Sequence, residues 1–448
     1  MTPCRIFFIL WVVHGGCGME AYIYYEGKKV GFEVPVGWNL LYGKEITPVR
    51  VCSDPVEEVK RSLDHPIGSE RIEELAACAS RAVIIFDDLT RPTPTHLAFP
   101  EVLNRLNRGG IPDHRIAAVC ATGTHQSPDE AGLRHKLGAE AYQRLHPRVY
   151  NHDAESKENV LVGRTSRGTP VEINPLVAET DLTIGIGACF PHNWAGFGGG
   201  SKIVMPGICG VQSIALHHLT WIRNMNTHIG LTQGNLFYEE CNEIARLIGF
   251  KYKIDFLLNF KGEVVKVFSG DVVAEHAEAS KECIRITAVD ILRKADVTIS
   301  AAFPLERGNQ SIKSLTAAAA VTKFGGQIIW VAPQRDRDQL LPLIHEVSLE
   351  KTVNEYHRQL LEGKYPEALK PMGLSFMCTV LEIKRYRDRF SRIVHVTDGL
   401  DRSTVESMRM THAETVSEAC EIVKNDLPTG DVVILPYGGV VMPRIGSS

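Results

Sequence analysis

The 448-residue sequence has no polybasic tract and a formal charge of −4, so it lacks the clustered positive surplus of a sequence-independent nucleic-acid binder. Its eleven cysteines include no Cys-x-x-Cys pair and no regular spacing. That pattern excludes a zinc ribbon and a disulfide framework, and makes reduced thiols in a cytoplasmic protein the expectation. The longest membrane-like run, Ile6 to Val13, has eight residues, too few to span a bilayer, and its flanks make a poor signal peptide, so no membrane partner is expected. No repeat of 20 to 50 residues and no low-complexity tract is present, which removes solenoids and disordered linkers. Gly200-Ser201-Lys202 has the wrong order for a phosphate P-loop, and Gly185-Ile-Gly187 lacks the third glycine of a dinucleotide fingerprint. There is no His-Glu-x-x-His either.

What is there reads as an ordinary globular chain, 44% hydrophobic and 23% charged, long enough for two or three domains. Residues 1–18 read as an extension ahead of a hairpin at Ala21 to Val34. Ala82 to Phe86 is a continuous apolar run that suits a strand buried on both faces, and with a helix over His96 to Arg108 and a strand over Arg115 to Cys120 it makes a βαβ unit. Ser127, Pro128 and Glu130 predict the cap, first position and third position of the next helix. From about Lys294 the alternation restarts, with strands at Asp296 to Ser300, Gly326 to Val331 and Arg392 to Val396 around an alanine-rich helix at Ser311 to Val321. The expected architecture is α/β: two α/β domains with mostly parallel sheets, residues 19–285 carrying the first and 286–410 a smaller second. Residues 411–448 are expected to return to the first domain, and the active site to lie in the interdomain cleft.

The chain is organised around Phe190 to Thr220, where His192, Lys202 and His218 punctuate six glycines between Gly196 and Gly210. Glycines let a backbone approach an anion closely, and a lysine ending such a loop adds a point charge. Gly199, Gly200, Ser201 and Lys202 are therefore candidates to hold a cofactor. In open α/β sheets ligands bind at the carboxyl ends of strands. Asp88 and Arg91 follow one predicted strand, His125 a second, and His192 a third, so one rim collects them. Gln310 and Lys313, three apart at a helix start, share a face toward the same cleft. Two histidines on different loops suit a reaction run from both faces of one carbon, where one base takes a proton and another acid returns it; that requirement points to His125 and His192. His218 is then free for a metal.

Asp87-Asp88-Leu-Thr-Arg91-Pro-Thr-Pro, Ala121-Thr-Gly-Thr-His125, the spacing from His192 to Lys202, His218 sixteen residues beyond, and Asn309-Gln310-Ser-Ile-Lys313-Ser together resemble the nickel-dependent lactate racemase family, from about Tyr22 to Tyr437. The resemblance implies an isomerase that racemises or epimerises a 2-hydroxy acid, lactate-like or larger. It implies a nickel pincer nucleotide attached through Lys202, with His218 completing the nickel coordination and His125 and His192 as the acid/base pair. Asp88 and Arg91, with Gln310 and Lys313, would hold cofactor and substrate. Cofactor-biosynthesis enzymes would be partners, and a homo-oligomer is open. Two features depart from the family pattern. Val331-Ala332-Pro333-Gln334 stands where a Cys-x-Glu-Gly segment is common, and no tryptophan follows Trp330, so a larger or more polar acid, such as a sugar acid or a dicarboxylate, is plausible. The competing readings are a metal-dependent hydrolase using the same histidines, or a non-catalytic nickel or nucleotide carrier.

Overall fold

The computed structural model of the chain describes residues 19–43, 49–224 and 227–446, so the extension at 1–18 lies outside the described residues. Two parallel sheets dominate. The first has seven strands, in the order Val264–Asp271, Tyr252–Leu258, Leu182–His192, Ala82–Asp87, Ile116–Ala121 and Val149–Asn151, with the short Gly196–Gly198 folded back antiparallel on Leu182–His192. All its other neighbours are parallel except the edge pair Tyr252–Leu258 and Val264–Asp271. The second has six parallel strands, in the order Thr411–Ala413, Arg392–Val396, Thr322–Val331, Ala295–Ala301, Gly430–Leu435 and Trp38–Tyr42.

The continuous apolar runs are explained by burial on both faces. Along Ala82–Asp87, Val83 and Ile85 join one core cluster while Ala82, Ile84 and Phe86 join another. Alternate side chains of one strand thus feed helices on opposite sides of the sheet, which a half-solvated strand would not permit. The second sheet repeats this, with Ile328 and Trp330 on one side and Ile329 and Val331 on the other.

Each sheet reverses its winding once. Ala82–Asp87 runs on to Ile116–Ala121 on one side, whereas Leu182–His192 lies on the other. That reversal leaves a crevice at the carboxyl ends of Ala82–Asp87 and Leu182–His192, from which the segments bearing Asp88, Arg91 and His192 emerge.

The termini correct the sequence reading. Residues 411–435 do not return to the first sheet: Gly430–Leu435 is hydrogen-bonded between Ala295–Ala301 and Trp38–Tyr42, inside the second, while the end of the chain does reach back, Met442 packing with Cys189, Phe197, Leu257 and Phe268 of the first. The N-terminal hairpin, Met19–Tyr25 with Lys28–Val34, also packs there, since Ile23, Phe32 and Val34 share a core cluster with Val297, Ile299 and Val432. The reason is that Gly430–Leu435 is apolar on both faces and needs a strand on each edge, and only the N-terminal segment supplies the second. The cap expected at Ser127 is instead Asp129, whose carboxylate accepts the Gly132 amide at 2.8 Å, and the helix runs Glu130–Leu137. None of the nine described cysteines is in a disulfide. No helix among the described residues is long and apolar enough to cross a membrane.

Trp38 ties this return together: it is 7% exposed and its indole N–H donates to the Leu427 carbonyl at 2.9 Å. Trp38→Ala is expected to cost about 3–5 kcal/mol, read by denaturant unfolding followed at the second sheet. A loss below about 1 kcal/mol would mean that the N-terminal strand is not part of that core.

Candidate active site

Thr122–His125 follows a strand end as a tight turn, its His125 amide bonded to the Thr122 carbonyl at 2.9 Å, and it brings His125 over Asp88. His125 Nδ1 lies 2.7 Å from Asp88 Oδ2, while Asp88 Oδ1 accepts the Thr90 amide at 2.7 Å. Burial pushes the Asp88 carboxyl up, but the hydrogen bond and charge of His125, with the charge of Arg91, outweigh it and hold it well below the usual carboxylate range. An ionised Asp88 holds a hydrogen on Nδ1 of His125, so Nε2 is the ring nitrogen left to exchange a proton.

His192 is held the opposite way. Its Nδ1 accepts the amides of Trp194 at 3.1 Å and Ala195 at 3.2 Å, so Nε2 carries the hydrogen. Burial, then the charges of Lys202, Lys313 and Arg91, keep its pKa well below the usual histidine value, and the ring is neutral. His218, on the helix Val211–Trp221, donates from Nδ1 to the Ile214 carbonyl at 3.1 Å, which points the Nε2 lone pair away from its own helix. That is the orientation of a metal-binding imidazole.

These groups line one cavity that opens to solvent. His125, His192 and His218 line it from the first sheet's side, with Lys202, Asp88 and Arg91; Gln310 and Lys313 line it from the turn Gly308–Ser311 and the helix Ile312–Val321 beside the second sheet. A second, mostly apolar cavity shares Phe190, Arg91, Gln310 and Lys313 as walls. Phe190 lies under both cations, the Arg91 guanidinium carbon 5.2 Å and Lys313 Nζ 5.1 Å from its ring centre. Burial, with Arg91 and Lys202 adding repulsion, lowers Lys313 to about 7. Lys202, over the Phe237 ring at 5.2 Å, is lowered to about 8, mainly by burial.

Two residues of the glycine segment do not reach the wall. Gly199 lines the cavity at φ +89°, but the Gly200 amide donates to Asp255 at 2.7 Å and the Ser201 hydroxyl to Asn242 at 2.6 Å. Their polar groups are spent on anchoring the loop, so the loop aims Lys202 rather than cradling an anion with its amides. A Cβ on Gly199 would meet Asp255 Oδ2 at 2.4 Å, which is why glycine stands there. Gly185 and Gly187 have a packing reason too: a Cβ at either would meet the buried Lys253, at 2.8 and 3.0 Å, which is ion-paired with Asp255 beneath the site. Sequence reasoning passed over this pair, together with Phe190, Trp194, Thr379 and Glu382; the run from Pro191 to Trp194 was the one signal that could have found Trp194.

Residues 25–230 match the lactate racemase N-terminal domain, and 291–442 match the lactate racemase C-terminal domain. The lactate racemase of Lactiplantibacillus plantarum is 30% identical over 395 residues, covering 86% of this chain and 90% of its own. The chain belongs to the lactate racemase family. It is an isomerase, and the hydrolase and carrier readings lose their ground. The lactate racemase of Thermoanaerobacterium thermosaccharolyticum is 27% identical over 392 residues, covering 86% of this chain and 90% of its own. The structure of the lactate racemase apoprotein from that organism superposes with a TM-score of 0.82 at 25% identity, covering 95% of this chain and all of the other. A Thermotoga maritima protein, 18% identical with a TM-score of 0.61 over 85% of this chain and all of its own, shares the fold. The family's C-terminal domain extends to 442, in step with a second sheet that keeps residues 411–435.

The lowered pKa of Lys202 has a measurable consequence. Its amine is the reactive form, so acylation of Lys202 in cofactor-free protein, followed by peptide mass mapping, is expected to rise through about pH 8. A midpoint near the ordinary lysine value would show that burial does not tune it.

Proposed function

We propose that this isomerase racemises or epimerises a 2-hydroxy acid, as its lactate racemase relatives do lactate, using a nickel pincer nucleotide held by Lys202 and His218. The observation that carries the reading is the convergence of His125, His192, His218, Lys202, Arg91 and Lys313 on one cavity. The donor set fits the cofactor. Among the described residues no group of three His, Cys, Asp or Glu side chains could hold a metal, so an ion bound at His218 must bring most of its coordination with it. Lys202, partly neutral near pH 8 and facing the same space, has the nucleophilic amine a covalent attachment needs. When bound, such a group supplies a reversible acceptor for the hydride on the substrate's Cα.

The chain's own residues supply the rest. Arg91 and Lys313 hold the carboxylate, with Gln310 beside them. His125 takes the hydroxyl proton at Nε2, and the imidazolium that forms is stabilised by the Asp88 carboxylate already bonded to Nδ1. His192 meets the substrate oxygen with its Nε2–H and is the second acid/base group, serving the opposite enantiomer. To give its Nε2 hydrogen to that oxygen without becoming an imidazolate, or to accept one there, the ring must carry a hydrogen on Nδ1, which requires the Trp194 and Ala195 amides to let go. The two histidines are therefore unequal at rest: Nδ1 of His125 carries a hydrogen, and Nδ1 of His192 accepts two.

Intact mass and nickel content after co-expression with the cofactor-making enzymes test the cofactor. Added mass and stoichiometric nickel are expected in the parent and absent from Lys202→Ala; neither in the parent would sink the assignment. In the loaded enzyme, His125→Ala is expected to lower interconversion in both directions by about 10²–10⁴-fold, and Asp88→Asn by a smaller factor, measured by chiral chromatography. Racemisation retained in His125→Ala would exclude the two-histidine scheme.

A further inference from the structure

The second cavity is built unlike the first. No acidic side chain lines it, whereas Asp87, Asp88 and Glu382 all border the first. Its apolar wall comes from both halves of the molecule. Pro191 extends from Leu182–His192, Leu258 and Phe260 stand at the end of Tyr252–Leu258, and Ile286 belongs to the helix Ala274–Thr287. Leu305 and Val440 come from the segments that follow Ala295–Ala301 and Gly430–Leu435 of the second sheet. None of these six residues borders the first cavity.

The polar groups on this lining fall into two sets. Thr90 gives its hydroxyl hydrogen to Asp88 Oδ1 at 2.5 Å, and Thr287 gives its own to the Cys283 carbonyl at 2.7 Å. The Asn259 side chain is taken up by its own turn, donating to Glu263 at 2.8 Å and accepting the Lys261 amide at 2.9 Å. The thiols of Cys189 and Cys283 are buried and act as small apolar groups. These side chains are therefore committed to the protein. What is left is Arg91 and Lys313, with Gln310 beside them, and among the described residues neither cation forms an ion pair.

The cavity thus joins a positive end to an apolar body, and that selects its occupant. A neutral apolar molecule would leave the two cations without a counter-charge. A doubly charged phosphate ester would bring a second charge into apolar surroundings, which is costly. A 2-hydroxy acid gains more in the first cavity, where His125 meets its hydroxyl. An acid without that hydroxyl gains nothing from the histidines, and its hydrocarbon finds an apolar wall in the second cavity.

Resting on the function proposed above, which gives Arg91 and Lys313 to the substrate carboxylate, we infer that the second cavity is an inhibitory site for apolar monocarboxylates that lack a 2-hydroxyl group. The inhibitor's carboxylate takes Arg91 and Lys313, and its hydrocarbon lies against Leu258, Phe260, Ile286 and Val440. Substrate and inhibitor occupy different cavities but claim the same two cations, so each excludes the other.

The test uses acetate, hexanoate and hexanol, as ligands of the cofactor-free protein by calorimetry and as inhibitors of the loaded enzyme. Hexanoate is expected to bind about tenfold or more tightly than acetate, to inhibit competitively with the same advantage, and to bind far more tightly than hexanol. Ile286→Gln, and Val440→Thr as a change that keeps the side-chain shape, are expected to reduce the hexanoate advantage about three- to tenfold. Acetate binding and the uninhibited rate stay as in the parent, because neither residue borders the first cavity. Equal affinity for hexanoate and acetate, equal affinity for hexanol and hexanoate, non-competitive inhibition, or an advantage that survives in both variants overturns the inference. If no 2-hydroxy acid is turned over, the function reading fails and the inhibitory role with it. The calorimetry then still decides the site: a hexanoate advantage lost in the variants upholds it, and any other result removes it.

Discussion

The structure depends on keeping like charges together out of water. Arg91, Lys202 and Lys313 all border one cavity with neutral His192 between them, and burial with mutual repulsion brings Lys202 to about 8 and Lys313 to about 7. Such an arrangement is costly unless anions enter it. It explains why the surroundings are so firmly braced. Asp255, ion-paired with buried Lys253, grips the Gly200 amide, and Phe190 presents its ring to two of the cations. The cavity is preorganised for negative charge, which a substrate carboxylate and a nucleotide phosphate both carry.

The bracing also sets the histidines. Each of the three rings has one nitrogen engaged by a specific partner, Asp88 for His125, two amides for His192 and the Ile214 carbonyl for His218, and each thereby shows the cavity a defined face. Identical side chains thus acquire different roles from partners that cost no more than a hydrogen bond apiece. Trp194 couples this arrangement to the helix Leu374–Arg389, since its ring packs near His192 and His218 while its N–H reaches Glu382 there.

Much of the site was legible because its residues sit where strand geometry forces them. Continuous apolar runs mark buried parallel strands, and the polar residues just after them fall at the carboxyl edge, so the sequence alone gathers Asp88, Arg91, His125 and His192. Glycine next to lysine suggests an anion cradle, which is why the sequence points to Gly200 and Ser201 as cofactor residues and the fold does not. Their partners, Asp255 and Asn242, lie 55 and 41 residues away in sequence, and no local pattern announces them.

The sequence by itself determined the alternation of buried strands and helices, the two-sheet class, and which histidines and lysines gather at one rim, because periodicity and strand ends are local properties of the chain. Tertiary structure alone decided that the N-terminal hairpin and strand complete the second sheet, since strand pairing is a long-range choice made by edges seeking partners. It alone decided the tautomer of each histidine, fixed by the neighbour that folding happens to supply. It also brought Ser375, Thr379 and Glu382 to the cavity the histidines line: their helical spacing is visible in the chain, but which face looks into the cavity depends on how the helix packs.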